Sequence, residues 1–330
     1  MKIVYFTILP LLLFSSALAQ DVAPTNDEVL KKFGFTEFFT IIEEDTTFFY
    51  YHQSPGTNPT KLVLYLQGTA PDPLFSVEKE KKKFATYRWF PGDYKLLGEE
   101  YGYVIIAKSG ISSIQRKEPA NYKKYHQLNS LDHRVKQADT VINFLIDKVA
   151  KEVNRIIVYG HSEGAPVAAK LGTINRRITH LGFWAGNALP DFYDFALFTN
   201  KAVAQKSIST SEAKKNIEEL ITEFKKISDN RNSTVAESKN DYSNKRWWSY
   251  SEPPINNLLK IDIPIFVQVA GKDESAPIES TYLIPLEFIR LGKENLTYEI
   301  CAECDHGFVV GEKDMWNEIF LKFINWADNE

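Results

Sequence analysis

A chain of 330 residues, 44% hydrophobic and 25% charged, has the composition of an ordinary globular protein, which excludes disordered, collagenous and multi-span membrane classes. At this size a core can bury most of the chain's surface, so the two cysteines need not form a disulfide framework and no structural metal is required. The formal charge of −4, with no basic stripe or arginine cluster, argues against nucleic acid as a partner and leaves a small-molecule or peptide substrate open.

The first nineteen residues carry one charge, Lys2, then an apolar run from Ile3 to Phe14 and small residues ending in Ala17-Leu18-Ala19. This is the pattern of a secretory signal peptide cleaved before Gln20, which implies a secreted or periplasmic mature protein with a charge of −5. The alternative, an uncleaved anchor, is disfavoured because Pro10 interrupts the run and because about 20 apolar residues are needed to span a bilayer. No stable membrane insertion is therefore expected.

Further along, short apolar runs alternate with amphipathic stretches, the rhythm of a mostly parallel sheet covered by helices on both faces. Strands are predicted at 48–53 and 62–68, a helix at 76–97 and a strand at 103–108. Between 132 and 149, Val135, Ala138, Val141, Ile142, Leu145, Ile146 and Val149 recur at spacings of three and four, which marks one face of a helix. A strand at 155–159, a helix at 164–171 and a strand at 181–185 follow. Residues 187–259 contain no convincing strand but hold a charged helical stretch and the aromatic-rich NKRWWSYSEPP. A loop of that length without structure is uncommon, so this segment reads as a helical cap inserted into a domain spanning 20–330. Its aromatics, Phe192, Tyr193, Phe195, Trp247, Trp248 and Tyr250, either line an acyl or aryl pocket or form the core of the cap, the second being the commoner arrangement. The chain closes with a strand at 265–270, a helix near 282–291, a strand at 296–300 and a helix through 316–326.

Gly160-His161-Ser162-Glu163-Gly164 follows directly on a strand and precedes a helix. Glycines on either side of Ser162 permit a turn sharp enough to hold its hydroxyl proud of the sheet. Glu163 is expected in the first helical turn, where the helix dipole favours a carboxylate. Serine needs a base to take its proton. Of His52, His126, His133, His161, His180 and His306, only His306 lies after both nucleophile and acid, as this chain order requires. The acid should follow a strand, and Asp273 does so just past 265–270; Glu274 is the near competitor, Asp191 and Asp194 are distant ones, and Asp262 precedes the strand and is out of reach. An oxyanion would need two backbone N–H donors. Glu163 supplies one and the Gln67-Gly68-Thr69 loop, through Thr69, the other, although Gly68 could equally be a simple turn glycine.

On these three motifs, G-H-S-E-G at 160–164, G-K-D at 271–273 and D-H-G at 305–307, the chain resembles the bacterial α/β-hydrolase superfamily over residues 45–328. The resemblance implies an α/β-hydrolase fold and a triad of Ser162, Asp273 and His306. Gln67 stands where that family usually has His, which leaves the subfamily open. The activity expected is cleavage of a carboxylic ester or related acyl bond through an acyl-enzyme, without a cofactor or metal. A peptidase or amidase and a thioesterase share the triad, and a binding protein on the same scaffold is the non-enzymatic alternative.

Cys301 and Cys304 precede the base, and in an oxidising compartment a local disulfide is expected, ahead of redox chemistry or metal capture with His306. Asn232 and Asn295 begin N-x-S/T sequons, which matter only in a producer that glycosylates by that route. Substrate identity and oligomeric state have no signature in the sequence.

Overall fold

The computed structural model describes residues 22–81, 83–116, 121–236 and 241–330, so the expected signal peptide lies outside the described residues. Helix α1 (Asn26–Phe33) begins at a reciprocal cap between Thr25 and Glu28 and ends at Gly34, whose φ of 75° closes the turn. Strands β1 (Phe35–Ile42) and β2 (Asp45–Gln53) form an antiparallel ribbon. They lead into β3 (Lys61–Leu66).

The helix expected at 76–97 is instead a β-hairpin, β4 (Phe75–Glu80) against β5 (Lys83–Arg88), followed by a short 3-10 turn at Tyr94–Leu96. Its residues are rich in aromatic and β-branched side chains, Phe75, Val77, Phe84, Thr86 and Tyr87, which suit a pleated surface. Pairing to one another satisfied backbone groups that a helix would otherwise have bonded internally.

After β6 (Tyr101–Ile106) and the short β7 (Ile114–Gln115), which extends the hairpin sheet, come α2 (Tyr122–Leu128) and α3 (Leu131–Phe144). The predicted helix at 132–149 is thus α3, capped by Ser130 and prolonged by a π-helical turn at Leu145–Val149. Next are β8 (Arg155–His161), α4 (Gly164–Ile174) and β9 (His180–Trp184). The cap segment holds α5 (Asp191–Ala204), α6 (Thr210–Asp229), α7 (Asn244–Ser249) and α8 (Pro254–Leu258), with no strand among the described residues. Strand β10 (Ile265–Ala270), helices α9 (Ile278–Thr281) and α10 (Leu283–Arg290), strand β11 (Leu296–Cys301), the small ribbon of β12 (Val309–Val310) and β13 (Lys313–Asp314), and α11 (Trp316–Asn329) complete the chain.

Eight strands make the main sheet in the order β1-β2-β6-β3-β8-β9-β10-β11. The pairs from β6 to β11 are parallel, and only β1, β2 and the β2–β6 junction are antiparallel. Because side chains alternate along a strand, β3 sends Leu62, Leu64 and Leu66 to one face, in one core with Val135, Ala138 and Val141 of α3 and Ala165 and Ala168 of α4. Val63 and Tyr65 go to the other face, in one core with Phe320 and Phe323 of α11. Parallel strands buried on both sides in this way read as continuous apolar runs. The N-terminal α1 and β1 lie outside the span of the resemblance, yet α1 joins the second core through Val29, Leu30 and Phe33.

In the cap segment, Phe192 packs at a tilt against Phe224 and edge-on to Trp247, at ring-centre distances of 4.7 and 5.4 Å, and Phe195 and Trp248 join the same group. These aromatics pack on one another as the core of the cap. Tyr193 is exposed, and Tyr250 is buried in the same core as α3 and α4. No helix among the described residues is long and apolar enough to cross a membrane. The Asn295 side-chain amide donates to the carbonyls of Ile261 and Ile263, which ties up that sequon; Asn232 is exposed.

Candidate active site

Strand β8 runs straight into the turn that carries Ser162, whose φ of 57° is left-handed. A non-glycine residue in that region is strained, and here its surroundings hold it. A Cβ on Gly160 would lie 1.9 Å from the Gly164 carbonyl oxygen, and one on Gly164 would lie 2.0 Å from that of Leu66, so both positions require glycine. The Ser162 N–H donates to the Trp184 carbonyl at the end of β9.

Asp273 and His306 reach the serine from two adjacent strand ends. Asp273 follows β10 and its Oδ1 accepts from the N–H groups of Ser275 and Ala276, each at 2.7 Å. His306 sits in the turn after β11. Its Nδ1 donates to both Asp273 carboxylate oxygens at 2.9 and 2.8 Å, which leaves Nε2 to accept from Ser162 Oγ at 2.9 Å. Asp273 and His306 are each only 6% exposed, so their contact is shielded from water. The residue order on the sheet thus assembles Ser162, Asp273 and His306 into one connected line.

Three supports fix the histidine turn. Asp305 Oδ1 accepts from the N–H groups of Gly307 and Val309. A disulfide joins Cys301 to Cys304, and the loop of Asp273 is tied to it through Gly271 N–H to Cys301 O and Lys272 N–H to Cys304 O. Finally, His161 Nε2 donates to the His306 carbonyl at 2.8 Å. Burial, aided by the neighbouring His306, pushes His161 down to about 3, so it is a neutral donor. The sequence discounts His161 as a base and gives no sign of this second use.

Of the rival acids, Glu274 is exposed, Asp262 pairs with Lys293 at 3.0 Å, and Asp191 accepts from Arg246 at 3.0 Å. Asp194 is buried beside Asn187, with which it is hydrogen-bonded. Burial and the charge of Asp191 raise it to about 8.

The oxyanion side differs from expectation at Glu163. It is the N-cap residue of α4 and makes no capping bond with its side chain. Its carboxylate is buried and ion-paired: Arg134 donates to Oε1 at 2.9 Å, and Arg246 donates to Oε2 through Nε at 2.8 Å and Nη2 at 2.6 Å. Burial alone would raise its pKa, but Arg246 and Arg134 override it and hold the carboxyl at about 2. Arg246 comes from α7 in the cap, and the rings of Tyr242, Trp247 and Tyr250 lie 4.5 to 4.9 Å from its guanidinium.

Opposite Glu163, the loop after β3 presses against the serine. A Cβ on Gly68 would lie 3.2 Å from Ser162 Cβ and 3.6 Å from Oγ, so Gly68 serves close approach as well as the turn. Lys108, buried two residues past β6, donates to the carbonyls of Gly68 and Ala70. Burial and the nearby Arg134 lower it to about 7. Tyr125 donates to the Thr69 carbonyl at 3.0 Å. The N–H groups of Gly68, Thr69 and Glu163 have no backbone acceptor among the described residues. No cluster of three or more His, Cys, Asp or Glu able to hold a metal occurs among the described residues.

Solved structures similar to this one include the acylaminoacyl peptidase of Pyrococcus horikoshii, with a TM-score of 0.57 and 12% identity over 88% of this chain and 41% of that one. Est1E from Butyrivibrio proteoclasticus gives 0.51 and 9% over 89% and 99% of the two chains. An esterase of Pyrococcus furiosus gives 0.51 and 13% over 94% of each. The chain spans about two fifths of the length of the peptidase. No family model matches the chain, and no curated protein matches it in sequence. The likeness establishes the α/β-hydrolase fold.

Proposed function

We propose that the protein is a serine hydrolase that cleaves a carboxylic ester or a related acyl bond through an acyl-enzyme. The observation that carries this reading is the unbroken hydrogen-bonded line from Ser162 Oγ through the His306 ring to the Asp273 carboxylate.

In this reading His306 Nε2 takes the Ser162 proton as Oγ attacks the acyl carbon. The carbonyl π bond breaks to give a tetrahedral oxyanion, and Asp273 stabilises the imidazolium without accepting its proton. The Glu163 N–H and a second N–H from the Gly68–Thr69 loop bind the oxyanion. His306 then protonates the leaving group. A water, deprotonated by the same nitrogen, releases the acid in the second half. The neighbouring structures named as an esterase and as an acylaminoacyl peptidase have this fold, and the ester reading is preferred as the less demanding leaving-group chemistry.

Labelling the purified protein with a fluorophosphonate probe tests the proposal without requiring the substrate. Wild type should be labelled, while Ser162→Ala and His306→Ala should not. Folded wild type that resists probes of several sizes would overturn it in favour of a binding protein on a hydrolase scaffold.

A further inference from the structure

We infer that Arg134 is a positioning residue that sets both oxyanion donors at once, with Lys108 as its assistant on the loop side. The inference rests on the reading of Ser162 as the nucleophile. It follows from where the backbone carbonyls of residues 67–70 go. Arg134 Nη2 donates to Gln67 O, Lys108 donates to Gly68 O and Ala70 O, and Tyr125 donates to Thr69 O. Every carbonyl of the loop is therefore held by a side chain, two of which are cations.

In a planar trans peptide the N–H points opposite to the C=O of the same unit. Holding Gln67 O fixes the Gly68 N–H, and holding Gly68 O fixes the Thr69 N–H, each directed away from its side-chain donor. Gly68 itself lies against Ser162. Lys108 and Arg134 are thus what keep the free N–H groups of this loop from rotating out of use. Without them, flipping one peptide would replace a donor by a carbonyl oxygen, which repels the developing negative charge.

Arg134 does more than the lysine because its other arm holds the opposite donor. Nη1 binds Glu163 Oε1 at 2.9 Å, and Glu163 carries the N–H on the nucleophile side. One planar guanidinium, from a helix anchored in the core by Leu131, Val135 and Ala138, therefore sets the spacing between the two halves. A lysine has a point charge in place of this fork and cannot reproduce both contacts. A helix residue some thirty positions upstream of the serine would thus set two N–H donors that it does not itself touch, through the Gln67 carbonyl and the Glu163 carboxylate that it does.

The test compares Arg134→Gln and Arg134→Lys with wild type in p-nitrophenyl acetate hydrolysis, in fluorophosphonate labelling rate, in affinity for phenylboronic acid as a tetrahedral mimic, and in thermal midpoint. Loss of a single oxyanion donor costs about 10²–10³ in kcat, so partial misplacement of two should lower kcat about 10- to 100-fold, with KM within about 3-fold. Phenylboronic acid should weaken in parallel with kcat. Arg134→Lys, which keeps a charge beside Glu163, should recover the thermal midpoint but not kcat, and it carries the test if Arg134→Gln fails to fold. Recovery of kcat by lysine, or a change in thermal midpoint alone, would overturn the inference while leaving the triad intact. An unlabelled wild type would instead remove the nucleophile reading on which it depends.

Discussion

Replacing Glu163 by Gln removes one charge from a buried site and leaves Arg134 and Arg246 facing an amide. The wild-type carboxyl sits at about 2 against an ordinary 4.5, a difference of 2.5 pH units, which at 1.36 kcal/mol per unit is about 3 kcal/mol of stability. This falls at the lower edge of the roughly 3–5 kcal/mol expected when one partner of a buried ion pair is removed. The sign follows from the direction of the shift. A folded-state pKa below the unfolded one stabilises the protein above pH 4.5 and loses that contribution as pH falls towards 2. Urea unfolding of wild type and Glu163→Gln should therefore differ by about 3 kcal/mol at pH 7 and by clearly less at pH 3, because below pH 4.5 the carboxyl of the unfolded chain is protonated and folding must release that proton. A gap under about 1 kcal/mol at pH 7, or one that does not narrow below pH 4.5, would refute the ion-pair account.

Asp273→Asn should lower kcat for p-nitrophenyl acetate by roughly 10³–10⁴, with little change in KM, since the amide favours the wrong imidazole tautomer; a loss below tenfold would show that Asp273 does not orient His306. Converting both Cys301 and Cys304 to Ser opens a bridge of sequence separation 3 and should cost about 2 kcal/mol in urea unfolding on chain-entropy grounds. Because Gly271 and Lys272 are tied to that loop, kcat should fall as well, and an unchanged kcat would mean that the hydrogen bonds alone hold the histidine.

Ser162, Asp273 and His306 are legible in the sequence because each is announced locally. The serine lies between glycines at a strand-to-helix turn, the acid just past an apolar run, and the histidine after the last strand. Their mutual contact needs only the strand order, which the alternation of elements supplies. What surrounds them is not local. Arg134 and Arg246 reach Glu163 from 29 positions before it and 83 after it, and neither has a neighbour in sequence that hints at the partner. The helix dipole acts on Glu163 only within its own turn, and burial between two guanidinium groups outweighs it. Lys108 closes an apolar strand run as an ordinary charged end residue would, yet it is buried where loop carbonyls converge. At 75–88 a run of charged residues masks the alternation of Phe75, Val77, Ala85 and Tyr87, and strand pairing prevails over the helical pattern. The start of α1 carried a readable signature, Thr25 followed by Glu28 three residues on with Gly34 at the end.

Insertions between strands are usually regarded as interchangeable parts, because a scaffold that closes on itself should accept a foreign lid. Here α7 supplies Arg246, and that residue neutralises Glu163 beside the nucleophile. Grafting another protein's segment in place of 187–259 would leave Glu163 held by Arg134 alone, without the two hydrogen bonds that Arg246 donates to its Oε2. A chimaera that keeps both arms of this site would need an arginine delivered to the same spot, so the segment between β9 and β10 is coupled to the sheet scaffold through position 163.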